Sequence, residues 1–189
     1  MSNKNEKVSV KKLILFVLCI GALIGFLSSY TTAVIVEKTA GKEFCAQCHT
    51  MEPMAQAYSM DVHGGNNKQG IVVKCVECHL PHNTLIGYLF EKSKTGIHDV
   101  WAELTYDKSK INWEEKRKHR STFTYDSGCL KCHENLQDAT MGSPKAFIAH
   151  KDYFLNKTKK CVECHKNVGH QNLGHYLKKA SLTFNKEVK

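Results

Sequence analysis

The sequence contains no stretch that combines clustered basic residues with aromatic residues, the pattern typical of nucleic-acid binding. Its formal net charge of +9, from 27 Lys and Arg against 18 Asp and Glu, would otherwise suggest such a partner. The densest charged segment, residues 114–120 (EEKRKHR), mixes both signs and is typical of a solvated helix face. We therefore expect no nucleic-acid partner.

Material for a conventional apolar core is also scarce outside one uninterrupted run, residues 13–36. This run of 24 residues lacks any charge and is long enough to cross a bilayer as a helix. Four lysines and one glutamate lie in residues 1–12, so the positive-inside rule keeps this tail in the cytoplasm. No small-x-small cleavage site follows promptly, and the run exceeds a signal-peptide core. We therefore expect a retained single-pass anchor rather than a cleaved signal.

Two features inside the run concern packing. Gly21 and Gly25 have the Gly-x-x-x-Gly spacing that permits close helix pairing, so a homo-oligomer through the anchor is a further expectation. Cys19 lies outside every motif described below, and we expect it to be a small buried apolar side chain.

Eight of the nine cysteines fall into four Cys-x-x-Cys-His motifs, called here the first to fourth frames. The frames are Cys45/Cys48/His49, Cys75/Cys78/His79, Cys129/Cys132/His133 and Cys161/Cys164/His165. This motif attaches haem c through two thioether bonds, with the histidine beneath the iron. Structural zinc needs four ligands gathered around each ion, and a disulfide scaffold needs no histidine after every second cysteine. The sequence therefore predicts four covalently bound haem c groups, whose propionates would offset most of the excess positive charge.

The frames and the anchor agree on location. Haem c is attached on the periplasmic side of bacterial membranes, and the predicted anchor places residues 37–189 on that side. We therefore expect a protein of the bacterial inner membrane, with a cytoplasmic N-terminus and a periplasmic haem domain.

An internal repeat divides this domain into two halves, residues 45–82 and 129–170. KCVECH occurs at residues 74–79 and again at 160–165, each time with another frame upstream. Each half also has a histidine between its two frames, His63 or His150, and one after the second frame, His82 or His170. Four additional histidines for four irons suggest bis-histidine ligation. The expected fold is mainly α-helical with extensive irregular loops, packed around its haems, and has an internal two-fold repeat.

Chain reach limits the pairing of these histidines with irons. Three residues span at most about 10–11 Å, too little for His82 to reach the opposite face of the haem of His79. His170 follows His165 by five residues and is also better placed to serve another haem. One face of a predicted helix carries Phe147, His150 and Phe154. This position of His150 fits either a buried core histidine or an iron ligand, and we expect an iron ligand. The role of His82 stays open.

Residues 85–106, between the halves, place apolar residues at helical spacing. Lys92 and Asp99 are seven residues apart and so lie on nearly the same face of this predicted helix. Their spacing fits an ion pair on a surface helix, or a proton-handling site beside a haem.

The first frame carries two residues able to bind iron, His49 and Met51. Two residues span only about 7 Å, so they cannot hold one iron from opposite faces. They are alternatives for the same side.

Several of these features together resemble the NapC/NirT family, which includes the NrfH proteins. They are the anchor, the four frames, CHTM at the first frame, HGGNNKQGIVVKCVECHLPH at residues 63–82, and the terminal CVECHKNVGH. The resemblance implies a quinol dehydrogenase that takes electrons from menaquinol or ubiquinol in the membrane and passes them to a periplasmic terminal reductase.

The family resemblance also implies roles for particular residues. Met51, rather than His49, would ligate the first iron, and Lys92 and Asp99 would form the quinol site. The remaining axial ligands would be the frame histidines His79, His133 and His165 and the distal histidines His63, His150 and His170.

Two other functions compete with quinol oxidation. A tethered relay cytochrome would pass electrons between periplasmic proteins without its own quinol site. A catalytic multihaem reductase would need an additional frame such as Cys-x-x-Cys-Lys, which the sequence lacks.

Overall fold

The computed structural model describes residues 9–187, which divide into two compact units between Thr39 and Ala40. The first unit is helix α1, Val10–Lys38, with a mean hydropathy of 2.4 in its most apolar window. Within the described part of the chain, α1 alone is long and apolar enough to cross a membrane. The predicted run of residues 13–36 lies inside this helix, whereas the first eight residues of the predicted tail lie outside the described residues.

Cys19 lies on α1, whose side chains are exposed to the surroundings of the helix. Those surroundings are lipid where α1 crosses a membrane, so the burial of Cys19 stays a prediction.

The second unit is helical, and its described residues pair as strands only in one isolated bridge between Gly64 and Val72. Its helices are α2 Lys42–Cys45, α3 Glu52–Ser59, α4 Cys75–His79, α5 Leu85–Thr105, α6 Trp113–Lys118, α7 Asp126–Leu130, α8 Leu136–Ala139, α9 Pro144–Asn156, α10 Cys161–Cys164 and α11 Leu173–Glu187. Short 3₁₀ turns lie at His49–Met51, Lys108–Lys110 and Arg120–Thr122. The predicted fold class, mainly α with long irregular connections, is confirmed for these residues.

The two KCVECH segments fold alike. Each begins a short helix, α4 or α10, at its first cysteine, with Lys74 or Lys160 in extended conformation just before it. Residues three apart in a helix share a face, so the helical turn directs both cysteine side chains of a frame to the same side.

Helix α5 occupies almost the whole range predicted for it. Its first turn is capped by Thr84, whose hydroxyl accepts a hydrogen bond of 3.1 Å from the Gly87 amide. Helix α6 is capped in the same way by Asn112, and its two acidic residues pair with basic residues one turn later. The expected solvated helix is thus confirmed.

The hydrophobic core is small. Only eight apolar side chains are buried among the residues whose burial is described: Ala40, Pro53, Ala57, Tyr58, Val76, Leu80, Val162 and Leu177. Ala40, Val76 and Leu80 form one cluster, against which Tyr88 of α5 packs. Elsewhere α3 packs against α11, so the C-terminal helix covers the segment that follows the first frame.

The halves of the repeat meet where α4 packs on α7. A Cβ on Gly128 of α7 would lie 1.6 Å from the carbonyl oxygen of Glu77, so only glycine permits this approach. The Tyr125 amide donates to the Cys78 carbonyl at 2.9 Å, and the His82 amide donates to the Ser127 hydroxyl at 3.0 Å. These contacts hold the second and third frames next to each other.

Candidate haem centres

The first cysteines of the two frames in each half lie in contact. The Cys45 and Cys75 side chains are hydrogen-bonded, which lowers the pKa of Cys45 to about 7 and raises that of Cys75. Cys129 and Cys161 repeat this arrangement in the second half, where the pKa of Cys129 falls to about 7. All nine cysteines lie within the described residues and are free of disulfides. The frames therefore form two pairs with matching cysteine contacts.

Three pairs of histidine rings stand at nearly the same separation. The ring centroids are 6.1 Å apart for His63 and His133, 6.2 Å for His79 and His170, and 6.1 Å for His150 and His165. Two imidazole nitrogens, each about 2 Å from one metal ion, place their ring centroids about 6 Å apart. Each pair joins one frame histidine to one histidine outside the frames, and the separations fit an iron between them.

Hydrogen bonds at Nδ1 orient four of these six rings. The acceptors are the Phe123 carbonyl for His79, the Ala146 carbonyl for His150, the Met54 carbonyl for His170 and the Asp61 carboxylate for His63, all at 2.9–3.0 Å. A histidine that uses Nδ1 in this way has Nε2 available for a metal, and the bond fixes the ring orientation. The donor set therefore suits bis-histidine iron.

Burial also favours metal binding by the His79–His170 pair. It is the largest influence on the pKa of both imidazoles, and it lowers each of them. A lowered pKa favours the neutral form, which is the form that ligates a metal.

His82 lies outside the three pairs. Its Nε2 is 3.2 Å from the Val76 carbonyl oxygen and 3.7 Å from a carboxylate oxygen of Glu77, and its ring lies against Tyr88 at 5.3 Å. This nitrogen is thus engaged by protein, and the residue sits at the junction of α4 and α7. The structure gives His82 the surroundings of a structural histidine.

An open cavity of about 390 Å³ lies beside Cys164 and His165 of the fourth frame and reaches His63 and Asp61. No group of three or more His, Cys, Asp or Glu side chains in residues 9–187 is arranged to hold a bare metal ion.

The first frame differs from the others because the three ring pairs of about 6 Å leave out His49, and residues of α5 lie beside this frame. Thr50, between His49 and Met51, donates a hydrogen bond of 2.5 Å to Glu103, which also pairs with Lys108. Burial acts to raise the pKa of Glu103, but these hydrogen bonds outweigh it and lower the pKa below its ordinary value. Glu103 therefore remains a carboxylate that ties the His49–Met51 turn to α5.

Lys92 and Asp99 lie on the same side of α5 and near the first frame. Their charges act on the Cys45 thiol in opposite directions, Lys92 lowering its pKa and Asp99 raising it. Asp99 also acts on Cys48 and on His79. Burial lowers the pKa of Lys92, whereas the Asp99 carboxylate is 73% exposed and 3.2 Å from Nδ1 of His98.

Sequence reasoning missed three polar residues at these centres, Asp61, His98 and Glu103. Asp61 was detectable from its spacing, since an aspartate two residues before a ligand can bond to the ring within one turn. Glu103 stands four residues after Asp99, on the same helical face, and that spacing was a usable signal. His98 has no comparable signal, because adjacent residues on a helix do not face each other and the contact with Asp99 is not implied by spacing.

Comparison with known proteins gives several relatives. CymA of Shewanella oneidensis, a tetraheme c-type cytochrome, is 33% identical over 87% of this chain and 94% of its own length. NapC of Haemophilus influenzae is 24% identical over 82% of this chain and 80% of its own length. TorC of Escherichia coli is 25% identical, but the match spans only 45% of that longer protein.

A solved structure supports the fold. The crystal structure of the cytochrome c nitrite reductase NrfHA complex bound to the inhibitor HQNO contains a chain that aligns with a TM-score of 0.53. That alignment covers 82% of this chain and 90% of the other, at 24% identity. Residues 7–175 match the N-terminal region of the NapC/NirT cytochrome c family. The chain is therefore a membrane-anchored c-type cytochrome and belongs to the NapC/NirT family.

Proposed function

We propose that this cytochrome oxidises menaquinol or ubiquinol and delivers the electrons to a periplasmic terminal reductase. The observation that carries the proposal is the position of Lys92 and Asp99, a cation and an exposed carboxylate on one face of α5, beside the cysteines of the first frame. The likeness to CymA and NapC over most of their lengths supports the same function.

Four haem c groups would be held by the frame cysteines Cys45, Cys48, Cys75, Cys78, Cys129, Cys132, Cys161 and Cys164. His79 and His170 would ligate the second iron, His133 and His63 the third, and His165 and His150 the fourth; the ring separations support all three assignments.

Met51 would ligate the first iron in place of His49. The Thr50 hydrogen bond to Glu103 fixes the turn that carries both residues and so would decide which of them faces the iron.

The chemistry at α5 follows from the two side chains. A quinol loses two electrons and two protons, and the bound haems supply the redox chemistry by accepting the electrons singly. Asp99 would accept a proton from the quinol hydroxyl, since a general base must lie within hydrogen-bond reach of the proton it takes. Its exposed carboxylate can release that proton to water and then accept the second quinol proton in the same way. Lys92 would donate a hydrogen bond to the quinol oxygen and hold it in place.

Substitution of these residues tests the site. In Asp99→Asn and Lys92→Ala, we expect quinol-dependent haem reduction to slow by about 100-fold, the usual size of a lost acid–base contribution. Reduction by dithionite should be unchanged, and haem content is verified from the visible spectrum. Lys94→Ala and Asp107→Asn are matched controls, because Lys94 pairs with Glu91 on another face and Asp107 lies beyond the helix. Normal rates in both site variants would refute the quinol site.

A tethered relay without a quinol site is the second candidate, favoured by the exposure of Asp99 to water. It predicts that a soluble periplasmic donor reduces the protein as fast in the Asp99→Asn variant as in the wild type. Quinol-driven reduction of the purified wild-type protein in lipid, with no other protein present, would exclude it.

The proposed topology is a single α1 span of the bacterial inner membrane, N-terminus in the cytoplasm and haem domain in the periplasm. The Gly21 and Gly25 spacing supports pairing of two copies through this helix, because small residues at this spacing let two helix backbones approach closely. Protease protection in membrane vesicles tests the orientation, and cross-linking in lipid tests the pairing.

A further inference from the structure

Helix α5 has an apolar face that no other described part of the second unit covers. Five large side chains in one row along the helix are between 64% and 82% exposed: Ile86, Phe90, Ile97, Trp101 and Leu104. A row of this kind is far more than the scattered apolar residues of an ordinary surface, and it marks a contact with a protein or a membrane.

This row is distinct from the two faces of α5 that already have partners. At 100° per residue, the row is centred about 140° around the helix from the face of Lys92, Asp99 and Glu103 that adjoins the first frame. It lies nearly opposite Tyr88, which packs on the cluster of Ala40, Val76 and Leu80. A haem attached at Cys45 would therefore adjoin the charged face of α5, and the apolar row would still be uncovered.

Covalent connection places α5 close to a bilayer. Ala40 is four residues beyond Val36, where the uncharged run of the anchor ends, and four residues span at most about 14 Å. The Ala40 carbonyl accepts a hydrogen bond from the Val76 amide, and Tyr88 packs on that same cluster. The cluster that holds α5 thus lies within about 14 Å of the membrane boundary.

The composition of α5 and its C-terminal neighbours suits a membrane surface. Trp101 and the exposed Tyr106 are the aromatic types enriched at the boundary between lipid and water. Lys94 borders the apolar row, and Lys108 and Lys110 follow the helix end, as expected for a helix that lies on anionic lipid.

We propose that α5 is an interfacial helix, with its apolar row inserted into the outer leaflet of the same bilayer that α1 spans. The occupant of the row is therefore lipid, and the charged face of α5 stands at the level of the headgroups. This placement does not depend on quinol oxidation; a tethered relay would have it as well.

Photo-crosslinking tests the proposal on the full-length holoprotein in lipid nanodiscs. Ile97 is replaced by p-benzoylphenylalanine, and Ile148 of α9, which is 66% exposed compared with 73% for Ile97, receives the same replacement as a matched control. Phe90 gives a second probe of the row, because the photoreactive residue differs least from phenylalanine. Haem content from the visible spectrum verifies that each variant is folded.

The expected result is a phospholipid adduct at positions 97 and 90 about tenfold more abundant than at position 148, measured by mass spectrometry. Equal adduct yields at the three positions would overturn the proposal, as would crosslinks from position 97 to a second copy of the chain. Because lipid adducts form without any quinol, the outcome is separate from the test of Asp99 and Lys92.

Discussion

The two halves of the haem domain are built alike but use their histidines differently. In the second half, His150 pairs with the frame histidine His165 of its own half. In the first half, His63 crosses to the third frame, and the second frame is paired with His170 from the far end of the repeat. Both crossing histidines lie against frame histidines in the middle of the domain, and none of the three ring pairs includes His49 of the first frame.

This difference sets one end of the repeat apart from the rest. Three frames have matching surroundings, each with a paired histidine about 6 Å away. At the first frame, the neighbours are instead the Lys92, Asp99 and Glu103 side chains of α5, the long helix between the halves. We therefore propose that electrons enter at the first frame, which lies beside these α5 side chains and outside the three histidine pairs.

The largest expected difference between the halves comes from removing His170, which pairs across the halves, and His150, which pairs within its own half. We expect His170→Ala to lower the Tm of the holoprotein by about 10 °C, because it loses both an iron ligand and a link between the halves. His150→Ala loses only a ligand within its own half and should lower the Tm by about half as much. Soret circular dichroism during heating measures both, and equal losses would contradict a linking role for His170.

The second test concerns the frame without a paired histidine. Met51→Ala should change the spectrum of one haem in four and lower its reduction potential, since thioether ligation favours a higher potential. Met60→Ala is the matched control, as Met60 is an exposed methionine outside the frames. A first-haem spectrum unchanged in the Met51 variant would show that His49 is the ligand.

A smaller effect is expected from the carboxylate behind His63. Asp61 is buried and accepts hydrogen bonds of 2.9 Å from both the amide and Nδ1 of this histidine. Asp61→Asn should weaken the His63–iron bond, so that an external ligand such as imidazole or cyanide binds the third haem about tenfold more readily. Titration followed in the visible spectrum measures this, with Asp152→Asn as an exposed control. No difference between the two variants would contradict the supporting role.

The smallest expected effect is at His82. His82→Ala should leave all four haem spectra unchanged and destabilise the protein by about 1 kcal/mol, the value of a lost hydrogen bond at the α4–α7 junction. A high-spin signal from any haem in this variant would show that His82 is a ligand after all.

Much of this arrangement follows from local sequence. The four frames, the anchor, the range of α5 and the Asn112 cap are properties of short segments and need no tertiary information. Chain reach already indicated that His170 serves a haem other than that of His165, and the His79 pairing agrees with this.

The rest could not be predicted because it depends on how distant segments meet. The His63–His133 pair joins residues 70 positions apart, and nothing in either segment specifies the other. The hydrogen bond of the His82 amide to Ser127 likewise depends on α7 packing against α4. Gly128 permits the close approach of these two helices, and no sequence spacing reveals it.

The central claim is that three irons have two histidine ligands each and that the first iron has a methionine ligand. Near-infrared magnetic circular dichroism of the oxidised holoprotein tests it most directly, because this method distinguishes bis-histidine from methionine-ligated haem c. The ring pairs support three bis-histidine centres, and the proposed ligation by Met51 adds one methionine-ligated centre, which Met51→Ala would remove. Four bis-histidine centres in the wild-type protein would contradict it.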